Sequence, residues 1–150
     1  KHGDTRWANV FHALTTTTAN DNDHHSPETA FSNEWILFDF EFAAFCPQPA
    51  FGAHTLTPGN HAPEMINTDD DEMIRSEYHD TAVDIWGLGY LIQQAHVDIP
   101  LSHANDMETL QRAALQKDPT SRPTAAHCLD ILRALQERPC STEKDVVPLQ

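Results

Sequence analysis

Apolar positions along this chain change their spacing several times, and each change marks a different element. Residues 9–13, Asn-Val-Phe-His-Ala, read as a short strand. A polar stretch over 15–34 follows, with four consecutive Thr and then Asn-Asp-Asn-Asp-His-His-Ser-Pro-Glu, which is loop composition. Trp35-Ile36-Leu37-Phe38 is a compact apolar run that reads as a buried strand. Two strands around a polar loop predict a hairpin with a long tip.

Residues 42–60 carry three Pro and two Gly, which excludes a long helix. Thr68-Asp69-Asp70-Asp71-Glu72, within 66–80, is a solvated acidic stretch. From Thr81 to Ala95, Val83, Trp86, Leu88, Tyr90, Leu91 and Ile92 cover most sides of a helix, the pattern of a buried one. Gly87 and Gly89 lower its propensity but let other backbone approach closely. Met107, Leu110, Ala114 and Leu115 predict a helix from Met107 to Gln116 capped by Asn105 or Asp106. A last helix begins near Thr124, with Pro123 at its start, turns Ala125, Cys128, Leu129, Leu132 and Leu135 inward, and ends at Pro139. Residues 139–150 read as a loose tail. The predicted class is mainly α, α+β overall, with one small hairpin near the front.

Composition narrows the function classes. A length of 150 residues suits one domain or one large lobe, and 39% hydrophobic residues, with three Trp and seven Phe, suffice for a core. Nine basic against 23 acidic residues give a net charge of −14. That argues against a nucleic-acid or anionic-membrane surface and suits basic partners. No apolar run approaches a membrane span. Cys46, Cys128 and Cys140 are odd in number and widely spaced, so neither a zinc ribbon nor a disulfide framework is indicated, and a reducing, intracellular compartment is expected. The ten His are scattered, and His24-His25 lacks the companions of a metal site.

Some residues carry the elements of one chemistry. Phosphoryl transfer needs a carboxylate to orient and deprotonate the acceptor hydroxyl, oxygen ligands for Mg²⁺, and a cation near the transferred group. In His2-Gly3-Asp4-Thr5-Arg6-Trp7-Ala8-Asn9, Asp4 supplies the carboxylate, Asn9 an amide oxygen five positions on, and Arg6 a cation between them. Asp39 ends the apolar strand beside Phe40, a suitable place for a metal ligand.

The order of motifs carries a resemblance. The opening loop resembles the His-Arg-Asp-x-Lys-x-x-Asn catalytic loop of protein kinases, and Asp39-Phe40-Glu41 their Asp-Phe-Gly. Thr57-Pro58-Gly59-Asn60-His61-Ala62-Pro63-Glu64 is similar to the end of their activation segment. Asp84-Ile85-Trp86-Gly87-Leu88-Gly89 resembles the start of the central helix of the large lobe, and Asp118-Pro119-Thr120-Ser121-Arg122-Pro123 the turn before its last helix. The resemblance runs from residue 2 to about 137. It implies the C-terminal lobe of a divergent, fungal-type Ser/Thr protein kinase-like domain over 1–138, with the ATP-clamping N-terminal lobe upstream and this fragment inactive alone. His-Gly-Asp-x-Arg-Trp and Asp-Phe-Glu are also similar to kinase-like domains of crinkler-type effectors.

By this resemblance Asp4 is the catalytic base, Asn9 and Asp39 hold Mg²⁺ and ATP, and Thr57 lines the acceptor site. Asp84 braces the catalytic-loop backbone, and Glu64 pairs with Arg122 inside the lobe. The implied cofactors are ATP and Mg²⁺, and the implied partner is a protein substrate of basic character. Gly3 stands where the family has Arg, which argues against activation through a phosphate clamped by that loop. Arg6 replaces Lys, and Glu41 replaces Gly. The 15–34 loop is longer than usual and the stretch from Asp84 to Arg122 shorter, so the substrate-docking helix expected there is reduced or absent. A pseudokinase or interaction module is the alternative class. A small-molecule phosphotransferase of the aminoglycoside or choline kinase kind is the second.

Overall fold

In a computed structural model of the chain, Val10 pairs with Leu37 at the base of an antiparallel hairpin. The structure describes residues 1–18, 29–49, 56–57, 59–66, 78–139 and 146–148. A 3-10 turn over Trp7–Asn9 leads into strand β1, Val10–Thr18, which pairs with β2, Thr29–Leu37. The ladder runs to Thr18 opposite Thr29, so the Thr run predicted as loop is strand. β-Branched Thr fits a pleated strand as readily as a loop, and its polarity hid that preference. The tip, including His24-His25, and most of the acidic stretch lie outside the described residues.

The predicted burial of 35–38 is corrected as well. Trp35 is 63% exposed and Phe38 43%, because a two-stranded ribbon covers neither of its own faces. Trp35 instead stacks on His12 across the ladder, with ring centroids 4.4 Å apart.

Two short strands, β3 (Gln48–Pro49) and β4 (Tyr78–His79), form a second antiparallel pair. Helix α1 follows over Ala82–Gln94, then β5 (Asp98–Pro100) and helix α2 (Leu101–Ala114). A 3-10 turn over Pro119–Ser121 leads to helix α3, Ala125–Glu137. Strand β6, Val146–Pro148, pairs with β5. Among the described residues the architecture is therefore three helices with three two-stranded sheets, an α+β arrangement. The pairing of Ile99 with Val147 corrects the reading of 139–150 as a loose tail.

The core lies where α1 crosses α2. Ile85 and Ile92 of α1 pack with Leu110 and Ala114 of α2 and Cys128 of α3, and Leu88, Met107, Ile131 and Leu132 close around them. A β-carbon on Gly89 would lie 2.9 Å from that of Ala114, so the glycine lets the helices approach this closely. A smaller cluster joins Ala62, Met65 and Val83, with Leu56 and Trp86 against it.

Helix α2 begins six residues before its predicted start, at Leu101 after Pro100, and no side-chain cap from Asn105 or Asp106 is used. Its first turns are held by polar contacts. His103 Nε2 bonds the Leu135 carbonyl at 2.8 Å, and Arg138 reaches Asp106 at 2.8 Å. Such contacts leave no apolar period to read. Helix α3 begins beside Thr124 as predicted, Thr124 caps the His127 amide, and Cys128, Ile131, Leu132 and Leu135 form the inward stripe. Leu129 lies about a quarter-turn off that stripe and is exposed, as is Ala125 in the first turn, contrary to expectation. No helix among the described residues is long and apolar enough to cross a membrane.

Candidate functional site

The opening loop is tied to α1 through one carboxylate. Asp84, in the first turn of α1, accepts the backbone N–H of His2 at 2.7 Å and of Gly3 at 2.8 Å, as the resemblance implied. Gly3 holds φ of +86°, and a β-carbon there would lie 3.0 Å from the Phe42 carbonyl oxygen. A bulkier residue in that conformation is strained. On the other side of the loop, Gly87 of α1 lies against Thr5, so the residue after Asp4 rests on bare helix backbone.

His2 fixes the loop from within. Its Nδ1 accepts the Asp4 N–H at 3.3 Å, which leaves Nε2–H to donate to the Phe38 carbonyl at 3.0 Å. Its ring meets Phe40 edge-on at 4.7 Å. The segment that runs from the end of β2 to Asp39 is thereby docked on the loop bearing Asp4. Phe38 N–H also donates to the Asn9 carbonyl at 3.0 Å, which brings Asn9 and Asp39 to the same end of the hairpin. Asp39 itself is exposed, at φ 63°, a left-handed conformation that Asp tolerates better than most residues.

Asp4 is buried and its carboxylate is well provided with donors. Oδ2 accepts Asn9 Nδ2 at 2.9 Å and lies 3.2 Å from Arg6 NH2. Oδ1 lies 3.2 Å from His61 Nε2. Asn9 Nδ2 also donates to the Asp4 carbonyl at 3.0 Å, so these contacts use its amide nitrogen and not its amide oxygen. Arg6 is 38% exposed along its side chain, while its buried Nε has no partner among the described residues.

The described residues contain no group of three or more His, Cys, Asp or Glu set to hold a metal. Asn9 and Asp39 offer an amide oxygen and a carboxylate, hard donors of the kind Mg²⁺ takes. Mg²⁺ usually uses few protein ligands, completed by phosphate and water, and so needs no such cage. The donor chemistry fits a nucleotide-borne Mg²⁺.

The expected partner pair is present. Glu64 sits in a 3-10 turn over Pro63–Met65, and its carboxylate receives Arg122 NH1 at 2.6 Å and NH2 at 2.8 Å. Both side chains are almost fully buried. Trp86 lies 5.2 Å from the guanidinium carbon and donates its indole N–H to the Gly59 carbonyl at 3.3 Å. Behind Glu64, buried His79 donates to the Glu64 carbonyl at 2.8 Å. Desolvation by burial holds its pKa below the usual histidine value, against the pull of that hydrogen bond.

Thr57, expected at the acceptor site, has an exposed side chain, while its backbone meets His61. Glu41 is exposed. Sequence reasoning missed His61 and His2. His61 falls at a position that the activation-segment pattern leaves free, and His2 passed as a conventional part of its motif.

The chain is 27% identical over 142 residues to Crinkler effector protein 8 of Phytophthora infestans. The similarity covers 95% of this chain but 20% of that protein, so the chain spans about a fifth of that relative's length. No family model matches the chain, and no solved structure does.

Proposed function

We propose that this chain is the C-terminal lobe of a divergent protein kinase-like phosphotransferase that moves the γ-phosphoryl of ATP to a Ser or Thr hydroxyl of a protein. The observation that carries the reading is the anchoring of the opening loop. Asp84 grips the backbone of the two residues before Asp4, across more than eighty positions of sequence. The buried Glu64–Arg122 pair adds a second long-range contact of the expected architecture. The similarity to a crinkler effector agrees with the narrower resemblance of His-Gly-Asp-x-Arg-Trp.

In this reading the acceptor oxygen attacks the γ-phosphorus while its proton passes to Asp4. The bond from phosphorus to the bridging oxygen breaks, and ADP leaves with the electron pair. Arg6 lies beside the base with its side chain 38% exposed, so its charge is available to the transferred phosphoryl. Asn9 and Asp39 would hold a Mg²⁺ that enters with ATP, and it would supply neutralisation of phosphate charge. The Gly-rich loop and Lys strand that close over ATP are absent from these 150 residues, and the reading requires them elsewhere in the protein. A net charge of −14 suits a basic protein substrate, and the free thiols of Cys46 and Cys128 suit a reducing, intracellular setting.

One observation favours a second reading, an interaction module without catalysis. Three side chains already occupy the Asp4 carboxylate, leaving it less room to accept a substrate proton. Phosphotransfer from ATP·Mg²⁺ to myelin basic protein, a basic acceptor, by the full-length protein decides between them. Asp4→Asn lowers the rate by about 10²–10⁴-fold if Asp4 is the base. Undetectable transfer by the wild type under the same conditions selects the module.

A further inference from the structure

Oδ1 of Asp4 receives its hydrogen bond from a residue to which no motif assigns a role. We propose that His61 is the positioning residue of Asp4, fixing the carboxylate plane of the base from the segment that ends at Glu64. The inference rests on the phosphotransfer reading above.

The geometry has a direction. His61 is buried, and its Nδ1 lies 3.1 Å from the Thr57 amide nitrogen. An amide N–H can only donate, so in this contact Nδ1 is an acceptor and the neutral ring carries its hydrogen on Nε2. That hydrogen faces Asp4 Oδ1 at 3.2 Å, and a carboxylate can only accept. The Thr57 carbonyl lies 3.2 Å from Nδ1 and also accepts the His61 N–H at 3.3 Å, which closes the turn that carries the ring. The Thr57 backbone thus sets the imidazole, and the imidazole sets the carboxylate.

Asn9 and Arg6 both approach Oδ2, so among the described residues the donor on Oδ1 is His61. Holding both oxygens fixes the carboxylate plane and hence the lone pair left for a substrate proton. Glu64, three residues after His61, is locked to Arg122, which steadies the turn from its far end. The base is therefore in register only when the Thr57–Glu64 segment is seated. The resemblance had Thr57 line the acceptor site; here its backbone holds the histidine four residues later that sets the base.

The test uses the full-length protein with ATP·Mg²⁺ and myelin basic protein, comparing His61→Leu, His61→Gln and Asp4→Asn. His61→Leu is expected to lower kcat about tenfold or more, as a misplaced reacting group does. Its KM for ATP stays within about twofold, because no ground-state nucleotide contact is lost. His61→Gln, whose amide nitrogen can donate near the Nε2 position, recovers most of the loss. If His61→Leu keeps the wild-type kcat while Asp4→Asn abolishes transfer, the His61 assignment falls and the phosphotransfer reading stands. Equal losses in the Gln and Leu variants also overturn the assignment. A wild type that transfers nothing overturns both readings. Should His61→Leu fail to fold, ring ¹⁵N shifts of His61 in labelled wild type decide the matter. A hydrogen on Nε2 and an accepting Nδ1 support the assignment, and the opposite tautomer overturns it.

Discussion

Arg122 donates through all five of its N–H groups, and two of them converge on the carboxylate of Glu64, 58 residues earlier in the chain. The other three go to the carbonyls of Gln116, Ala82 and Lys117 at 2.8, 2.9 and 3.2 Å. One buried side chain thereby joins the turn before α3, the start of α1 and the segment that carries His61. A guanidinium supplies this planar fork, and an ammonium cannot.

Arg122→Ala should therefore destabilise the chain by about 3–5 kcal/mol, because it strands the Glu64 charge and leaves three carbonyls without their donor. Arg122→Lys keeps the charge but not the fork and should still lose a large part of that stability. Urea unfolding followed by circular dichroism measures both. A loss in Arg122→Ala no larger than that of an exposed ion pair, such as Arg112→Ala beside Glu108, would contradict the assigned role.

The glycines make unequal predictions. A β-carbon on Gly87 would sit 2.5 Å from the Thr5 β-carbon and 2.8 Å from its carbonyl oxygen, so α1 or the opening loop must move. Gly87→Ala should cost about 1–3 kcal/mol by overpacking and displace the residue next to Asp4. At Gly59 a β-carbon meets no described atom within 4 Å, but φ is +90°. Gly59→Ala should cost about 1–2 kcal/mol from backbone strain alone. Phosphotransfer reads both sites, since Gly87→Ala displaces the opening loop directly and Gly59→Ala strains the turn that carries His61. A wild-type rate in Gly87→Ala would show that the Gly87–Thr5 contact does not position Asp4.

His79 makes the pH dependence readable. Burial depresses its pKa in the folded chain, so the unfolded chain binds the proton more readily. Stability from the neutral ring is fully present above the unfolded value of about 6.5 and is lost as pH falls from there toward the lower folded value. Gln at this position keeps a donor for the Glu64 carbonyl and cannot titrate. Thermal unfolding at pH 7.5 and pH 5.5 should show a larger acid loss in the wild type than in His79→Gln. Identical losses would mean that His79 does not remain neutral in the fold.

What the sequence disclosed follows from which interactions leave a pattern. The central helix was legible because its apolar residues and two glycines had to fit a core. The Glu64–Arg122 and Asp84 contacts were legible only through motif resemblance, since no periodicity links residues so far apart. The start of α2 was hidden because His103 and Arg138 hold it by polar contacts. β6 was hidden because a three-residue strand after a charged stretch has no signal of its own; its partner β5 supplies the hydrogen bonds. In the candidate site, Asp4 and Asn9 were named from their spacing and Asp39 from its place after an apolar run beside Phe40. His61 was not, because its role depends on a turn that returns the chain to Asp4 across 57 positions.

The metal assignment makes the last prediction, and its sign depends on whether a cation is present. Asp39 carries a negative charge at the end of the hairpin that also holds Asn9. With Mg²⁺ present, an Asp39 ligand attracts the ATP·Mg²⁺ complex through a hard oxygen–cation bond. Removing it in Asp39→Ala should weaken ATP·Mg²⁺ binding to the full-length protein by at least about tenfold, the low end of what even an outer-sphere partner contributes. With EDTA present, the same carboxylate only repels phosphate, so Asp39→Ala should leave ATP binding unchanged or stronger. Glu41 is exposed two residues on, and Glu41→Gln should have a smaller effect in Mg²⁺. Titration calorimetry in both buffers gives the four comparisons. If Asp39→Ala weakens ATP equally with and without Mg²⁺, the residue supports the fold of the site and does not hold the metal.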